Sequence, residues 1–268
     1  MEEKHVVIGA AGALGSAIVG VLAGQGKSVR AVVRDVDRAR RVLPPEADIV
    51  IGDGANAESV RLVCRNATVI YHCINVPFEK WYTVMPAVTD NILAGAREAQ
   101  ARLVFPGNVY GYGPLRMMPA NEDHPLAATS KQGQLRNEVE RKLIDANLMA
   151  DVKVVIARFP EYYGPNVSNW LMSPIFQAAL DGSTAAWPGK LEVPHDLIYI
   201  DDAATACCIL GSTESSYGQV WHVPGAGPIT GKQFIGMAFE AAGTKARMKA
   251  MGRGYFRVRG MFGSVARE

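Results

Sequence analysis

The chain has 268 residues, of which 49% are hydrophobic, 20% are charged and 8% are aromatic. This composition is ordinary for a globular protein and excludes a disordered chain, a collagen-like repeat and a small disulfide scaffold. The 28 basic and 26 acidic residues leave a net charge of only +2. Because nucleic-acid-binding domains usually carry a stronger basic excess or a basic face, we expect no nucleic acid among the partners.

Membrane and metal partners are not expected either. The sequence contains no apolar run of the roughly 18 residues that a membrane span needs, and Met1–His5 lacks the basic start of a signal peptide. The four cysteines and five histidines show none of the spacings of zinc or redox sites. We therefore predict a cytoplasmic protein without a bound metal.

Basic residues concentrate near the C-terminus. From Lys245 onward, seven basic residues accompany one acidic residue, so this tail carries a net charge of +6 and residues 1–244 carry −4. A solvated terminal surface is the simpler interpretation of this charge run. Contact with anionic lipid or RNA is the alternative.

Short runs rich in Val and Ile alternate with longer helical patterns through the first 160 residues. The first helical pattern has an apolar face, formed by Leu14, Ile18, Val21 and Leu22. The predicted strands are His5–Gly9, Ser28–Arg34, Asp48–Ile51, Ala67–Asn75, Arg102–Pro106 and Val152–Phe159, and the further helices are Glu58–Arg65, Thr83–Gln100 and Gly133–Ala146. This alternation predicts an α/β fold with a doubly wound parallel sheet of the Rossmann type.

The pattern changes after Tyr163, where glycine and proline punctuate shorter elements. We predict a dinucleotide-binding domain over residues 1–163 and a smaller α+β substrate lobe over residues 164–268. Because no flexible linker separates them, we expect the two parts to be interleaved as one compact body. A ligand is then expected between the carboxyl edge of the sheet and the smaller lobe.

The first strand leads into a glycine-rich turn and then into the first helix. The glycines follow the pattern Gly-x-x-Gly-x-x-Gly, in which the first allows a tight turn, the second lets the backbone approach a pyrophosphate and the third lets the helix lie close to the strand. We predict that a dinucleotide diphosphate binds here, at the positive end of the helix dipole. The predicted contact residues are Gly9, Ala11, Gly12, Ala13, Leu14 and Gly15.

The end of the second strand bears on the choice between NAD and NADP, because an acid there binds the ribose of NAD and an arginine accommodates the 2′-phosphate of NADP. The strand ends with Arg34 followed by Asp35, and Arg38 lies one helical turn further on. We favour NADP, with Arg34 on the phosphate, and keep NAD as the alternative, with Asp35 on the ribose. After the third strand come Asp53 and Gly54, where Asp53 would accept a hydrogen bond from the adenine amino group.

Ligands of open α/β sheets bind at the carboxyl ends of the strands. The residues at these ends that we assign to cofactor contacts are Cys73, Ile74, Asn75, Pro160 and Tyr162. Asn108 and Tyr110 follow the fifth strand and are candidates for the catalytic site. For Tyr110, packing against Pro114 is the simpler interpretation.

Several motifs occur in an order that resembles a known family. They are the glycine-rich turn, Gly52-Asp53, His72, Asn91, Val109-Tyr110-Gly111, Tyr163-Gly164-Pro165 and Tyr199-Ile200-Asp201-Asp202-Ala203. From residue 5 to about residue 240 the chain resembles the extended short-chain dehydrogenases/reductases, the NAD-dependent epimerase/dehydratase family. The resemblance implies a Rossmann fold, a nicotinamide cofactor and a homodimer formed through the helices Thr83–Gln100 and Gly133–Ala146.

The resemblance also implies a catalytic set of Ser/Thr, Tyr and Lys, with the last two spaced as Tyr-x-x-x-Lys. Alignment with this pattern places Pro106, Gln132 and Arg136 at the three positions, and none of the nine tyrosines precedes a lysine by four residues. Glutamine donates hydrogen bonds but does not titrate, and arginine stays protonated. We therefore expect no ketone reduction through Tyr-x-x-x-Lys, although Arg136 can still hold the nicotinamide ribose.

A further departure concerns the substrate. Nucleotide-sugar members of the family that the chain resembles often carry an arginine before the late Tyr-x-Asp-Asp strand, where it binds substrate phosphate; His195 stands at this position. This substitution makes a nucleotide-sugar substrate less expected. His195 is either a substrate-site acid or base or a hydrogen-bonded structural histidine, and the sequence favours neither.

Three functions stay open. The first is an NADP-linked oxidoreductase with a non-standard active site and a small non-nucleotide substrate, in which the proton comes from Tyr110, His195 or water. The second is a non-catalytic NADP(H)-binding or sensor protein, and the third is a sugar epimerase/dehydratase. The catalytic candidates are Asn108, Tyr110, Gln132, Arg136 and His195.

Overall fold

The computed structural model describes residues 3–252. Within this range the strands are β1 (Lys4–Ile8), β2 (Ser28–Val33), β3 (Asp48–Ile51), β4 (Val69–His72), β5 (Arg102–Asn108), β6 (Val154–Phe159), β7 (Glu161–Tyr163), β8 (Ala185–Pro188), β9 (Pro194–His195), β10 (Leu197–Tyr199), β11 (Val220–His222), β12 (Ile229–Thr230) and β13 (Met248–Met251). The α-helices are α1 (Ala13–Gly24), α2 (Val36–Val42), α3 (Ala57–Val63), α4 (Trp81–Ala99), α5 (Lys131–Leu148), α6 (Met172–Asp181), α7 (Ile200–Ser212) and α8 (Gly231–Ala241). The part of the basic tail from Arg253 onward lies outside the described residues.

Seven strands of the described chain form one sheet in the order β11-β6-β5-β4-β1-β2-β3. Every neighbouring pair in this sheet is parallel. The strand order reverses direction beside β1, as in doubly wound folds, so the predicted fold class is confirmed. The edge strand β11 was not predicted, because no strong sequence pattern indicates it.

Helices cover both faces of this sheet. α3, α4 and α5 pack against the face that carries Ile70 and Phe105. Side chains alternate between the two faces along a strand, so Tyr71 points to the opposite face, where α7 packs against α1. A Cβ on Gly211 of α7 would lie 2.6 Å from the hydroxyl of Tyr71, so this glycine gives the tyrosine its space.

Two strands end elsewhere than predicted, for reasons that lie in their neighbours. β4 stops at His72 and not at Asn75, because the adjacent β1 has ended and the chain turns away at Gly9. β5 passes through Pro106 to Asn108. Its pairing with β4 ends at Val104, so the missing N–H of Pro106 removes no hydrogen bond on that side.

The described chain divides into two compact units. The first comprises the residues up to Phe159 together with Ile200–Val223, and the second comprises Pro160–Tyr199 together with the residues from Pro224 onward. The division at residue 163 predicted from the sequence therefore differs from the structure. The reason is that α7 and β11 return to the central sheet, a long-range contact that local sequence patterns do not reveal.

The second unit contains helices and short strands around its own core. β10 pairs with β7 and β13 with β8 in parallel, whereas β12 and β9 are antiparallel. Its core includes Ile175, Trp187, Ile235 and Phe239, which are all fully buried. Among the described residues, no helix combines the length and the apolar character that crossing a bilayer requires.

Candidate functional site

The turn between β1 and α1 contains glycines at positions where a side chain would collide with the backbone. Gly9 adopts a φ of +91°, and a Cβ on it would lie 2.8 Å from the carbonyl carbon of Cys73. A Cβ on Gly15 would lie 2.4 Å from the carbonyl oxygen of Gly9. Gly9 therefore makes the turn, and Gly15 lets the helix lie against it.

The first turn of α1 suits an anionic ligand. Gly12 is the N-cap residue, and no side chain among the described residues caps the helix there. The N–H groups of Ala13, Leu14 and Gly15 belong to the first turn, where the helix provides them with no acceptor. This turn also contains no acidic residue. Its backbone donors and the positive end of the helix dipole therefore fit a diphosphate.

The end of β2 presents exposed guanidinium groups beside a carboxylate that is already engaged. Arg34 directly follows the strand and is exposed, as is Arg38. Asp35 between them is the N-cap of α2, and its carboxylate accepts a 2.9 Å hydrogen bond from the backbone N–H of Arg38. Capping thus gives Asp35 a structural role, while both arginines face solvent where a phosphate can reach them.

The loop after β3 meets the loop after β4. The Asp53 carboxylate accepts a hydrogen bond from the N–H of Ala55, and the Gly54 carbonyl accepts one from the side chain of Asn91. A Cβ on Gly54 would lie only 2.2 Å from Cδ1 of Ile74. Gly54 therefore lets the two loops approach each other, and Asn91 fixes the first of them to α4.

The loop after β4 runs beside the glycine-rich turn. The backbone of Cys73 and Ile74 occupies the space next to Gly9, and the side chain of Asn75 accepts a 3.1 Å hydrogen bond from the N–H of Val76. Burial raises the pKa of the Cys73 thiol far above its ordinary value, so this cysteine is an unreactive thiol at neutral pH. The backbone of this loop, and not its thiol, is placed to contact a ligand at the turn.

Arg136 and Tyr110, two candidates predicted from the sequence, both contact the ring of Trp81, which was not among the candidates. The Arg136 guanidinium lies 4.3 Å from the centre of the Trp81 ring. The Tyr110 ring stacks on the same indole, with ring centres 6.4 Å apart and an interplanar angle of 24°. Trp81 is one of four scattered tryptophans, and only the fold shows that it joins the two candidates.

Asn108 and Asn137 hold the elements around this cluster. The Asn108 side chain accepts a hydrogen bond from the N–H of Tyr110 and so caps the 3₁₀ helix Val109–Tyr112. The side chain of Asn137 on α5 donates to the carbonyl of Gly111, which fastens the same 3₁₀ helix to α5. Gln132 is half-buried in the first turn of α5.

The other three candidates belong to the second unit. Pro160 directly follows β6, and Tyr162 lies in β7, where its carbonyl accepts a hydrogen bond from the side chain of Asn169. The His195 ring packs edge-on against Trp187, with ring centres 5.3 Å apart. Burial lowers the pKa of His195, so the imidazole is neutral at neutral pH, which suits both a base and a structural ring.

Comparisons with known proteins agree with this architecture. The model of the family described as "NAD dependent epimerase/dehydratase family" matches residues 5–223. The chain belongs to the NAD-dependent epimerase/dehydratase family. A 3-diazoavenalumate denitrifying reductase from a Streptomyces species is 27% identical over 258 residues, which cover 87% of this chain and 79% of that protein.

Solved structures of sugar-nucleotide enzymes share the fold. The UDP-glucose 4-epimerase of Thermus thermophilus, in complex with NAD, superposes with a TM-score of 0.79 at 20% identity, covering 92% of this chain and 85% of that one. The dTDP-glucose 4,6-dehydratase of Streptomyces venezuelae, with NAD bound, gives the same TM-score and identity and covers 94% and 85% of the two chains. At these identities the likeness establishes the fold alone.

Proposed function

We propose that this protein is an NADP(H)-dependent reductase of a small non-nucleotide substrate. The observation that carries the proposal is the glycine-rich turn, where Gly9 and Gly15 exclude side chains and the open first turn of α1 offers backbone N–H groups. Membership of a family described as NAD-dependent supports a nicotinamide cofactor. The two exposed guanidinium groups after β2 support the phosphorylated form.

The residues that would hold the cofactor lie along the carboxyl edge of β1, β2, β3 and β4, together with Arg136 on α5. Gly12 to Gly15 would bind the diphosphate, Arg34 and Arg38 the 2′-phosphate, and Asp53 the adenine. The loop 73–75 and Arg136 would hold the nicotinamide half. When bound, the reduced nicotinamide supplies a hydride.

The residues at the catalytic positions orient groups but do not relay protons. Gln132 can donate a hydrogen bond but cannot titrate, and Arg136 keeps its charge throughout the accessible pH range. Tyr110, stacked on Trp81, is the residue of this cluster that carries a hydroxyl. A substrate that requires a proton therefore depends on Tyr110, on His195 or on water.

This arrangement suits a substrate that accepts a hydride without needing a proton. A ketone must gain a proton on oxygen as it is reduced, whereas an aryl diazonium carbon that accepts a hydride releases dinitrogen and needs none. The Streptomyces relative is named as a reductase that denitrifies a diazo compound. We therefore propose an electron-poor aryl substrate, with the diazo class as the first candidate.

A cofactor titration tests the first part of the proposal. Changing Arg34 to alanine is expected to weaken NADPH binding by about ten- to a hundredfold, because a charge-assisted contact with the 2′-phosphate is lost. NADH binding should stay unchanged, since NADH lacks that phosphate. Calorimetric titration of both dinucleotides measures the two affinities.

Arg41 provides a matched control on α2, the helix that begins just after Arg34. It lies in the last turn of α2, beyond the residues assigned to the phosphate, so Arg41→Ala should bind NADPH as the wild type does. An Arg34→Ala protein that keeps its preference for NADPH would contradict the assignment of the 2′-phosphate. Failure of the wild type to bind either dinucleotide would contradict the proposed function itself.

A substrate panel tests the second part. With NADPH, we expect faster turnover of an aryl diazonium salt than of ketones, enones or imines, and little effect of Tyr110→Phe on the diazonium reaction. Dinucleotide oxidation followed by absorbance, together with dinitrogen release, measures the reaction. If NADPH binds and no compound is reduced, the sensor function is favoured; interconversion of nucleotide sugars would instead favour the epimerase/dehydratase function.

A further inference from the structure

We infer that Trp81 is a positioning residue that fixes Arg136 and the loop after β4 as one rigid unit at the nicotinamide half of the site. The inference rests on the proposed function, because it assigns a role within the same dinucleotide site. Nothing in the sequence motifs points to Trp81. Three contacts in the first unit carry the argument.

The first contact places the cation. The Arg136 guanidinium lies 4.3 Å from the centre of the Trp81 ring, within the range of an attractive cation–π interaction. Trp81 is 2% exposed and Arg136 is 8% exposed, so little water screens the attraction. Because α4 begins at Trp81 and α5 carries Arg136, this contact ties the two helices together at their N-terminal ends.

The second contact fixes the loop. The indole Nε1–H of Trp81 donates a 2.7 Å hydrogen bond to the carbonyl oxygen of Val76. Three residues before Val76, the backbone of Cys73 lies directly beside Gly9. A continuous path therefore joins the diphosphate turn, the loop after β4, the indole and the guanidinium.

The third contact brings in the candidate proton donor. Tyr110 stacks on the Trp81 ring, so the hydroxyl-bearing ring and the cation are placed by the same side chain. The charge of Arg136 is also felt at the end of β4, where it adds to burial in lowering the pKa of His72. The cation therefore lies close to the strand end from which the loop departs.

The Trp81 contacts described above do not include the residues assigned to the adenosine half. Arg34 and Asp53, the residues assigned there, follow β2 and β3, whereas every Trp81 contact described above involves the loop after β4, the 3₁₀ helix after β5 or α5. Removing the indole should therefore disturb one half of the site and spare the other. A general loss of folding would disturb both.

Calorimetric titration with two probes tests this difference. NADPH spans both halves, whereas adenosine 2′,5′-bisphosphate fills only the adenosine half. We expect Trp81→Leu to weaken NADPH binding about tenfold and to change binding of the bisphosphate less than about twofold. Trp81→Phe keeps a ring for Arg136 but loses the Nε1–H donor, so it should weaken NADPH binding about threefold.

Trp221 is the matched control. Its indole also donates to a backbone carbonyl, that of Ser216, but it lies on the edge strand β11, so Trp221→Leu should bind both probes as the wild type does. Equal weakening of both probes by Trp81→Leu, or no weakening of either, would overturn the positioning role alone. A wild type that binds neither probe would overturn the proposed function along with it.

Discussion

Replacing Glu140 with leucine is expected to lower the free energy of unfolding by about 3–5 kcal/mol, because the change leaves a buried guanidinium without its carboxylate. Glu140 accepts hydrogen bonds of 2.7 and 3.0 Å from Nη2 and Nε of Arg158. The two side chains are 2% and 4% exposed. Chemical denaturation of the variant and the wild type measures the difference.

The surroundings of the pair explain why Arg158 finds no equivalent partner once Glu140 is replaced. Burial raises the pKa of Glu140 even though Arg158 and Arg136 oppose the shift, so the carboxylate depends on its partners to stay ionised. A Cβ on Gly107 would lie 2.9 Å from Oε1 of Glu140, so the carboxylate packs closely against β5. Arg158 also donates to the hydroxyl of Tyr112, and this one bond cannot replace the carboxylate.

A double variant separates two contributions to the lost stability: the unpaired charge of Arg158 and the altered packing around residue 140. Changing Glu140 to leucine and Arg158 to methionine together removes both charges and keeps apolar volume, so the double variant should be more stable than Glu140→Leu alone. The exposed pair of Arg97 and Asp151, which has the same 2.7 Å distance, is the control. Arg97→Met should cost no more than about 1 kcal/mol. A similar cost at both pairs would contradict the argument from burial.

Glu140 also connects stability to the candidate site. It lies one helical turn after Arg136 on α5 and ties that helix to β6 through Arg158. The same helix fastens the 3₁₀ helix of Tyr110 through Asn137. Partial loosening of the buried pair should therefore reduce dinucleotide affinity before the protein unfolds.

The fold could be predicted from the sequence because each strand and each helix of a doubly wound sheet has a recognisable local pattern of apolar residues. Several of the buried parallel strands are near-continuous runs of Val and Ile, and each of the six predicted runs overlaps a strand of the sheet. The edge strand Val220–His222 is only half covered and too short for such a run. Its pairing with β6 and the packing of α7 are long-range contacts, so the division into units could not be predicted locally.

The candidate site was predictable where backbone geometry demands a residue type. Gly9, Gly15 and Gly54 are glycines because a Cβ would collide with neighbouring atoms, and such positions follow from motif spacing. Trp81 was not predictable, because its role depends on the crossing of α4 and α5 and not on any spacing in the sequence. The role of Asp35 as a helix cap also could not be predicted, because it depends on α2 beginning at the next residue.

Acid is expected to destabilise the wild type more than a His72→Gln variant, because His72 is buried as a neutral ring. Burial, with a smaller contribution from the charge of Arg136, lowers the pKa of His72 from 6.5 to about 3. Its Nε2 lies 3.3 Å from the hydroxyl of Thr89. That hydroxyl gives its own proton to the carbonyl of Met85, so it accepts the Nε2–H of the imidazole.

The sign and size follow from the protons bound in each state. Between pH 6.5 and about 3 the unfolded chain holds a proton on His72 that the folded protein lacks, so stability falls as the pH falls through this window. At about pH 5 the wild type should therefore have lost about 2 kcal/mol more than His72→Gln, relative to neutral pH. The other titrating groups are common to both proteins and cancel in this comparison, which denaturation at the two pH values provides. Arg136→Met should raise the folded-state pKa of His72 by removing the neighbouring charge, and so narrow this window from its acid end. Equal acid sensitivity in the wild type and His72→Gln would show that the folded protein takes up the proton without cost.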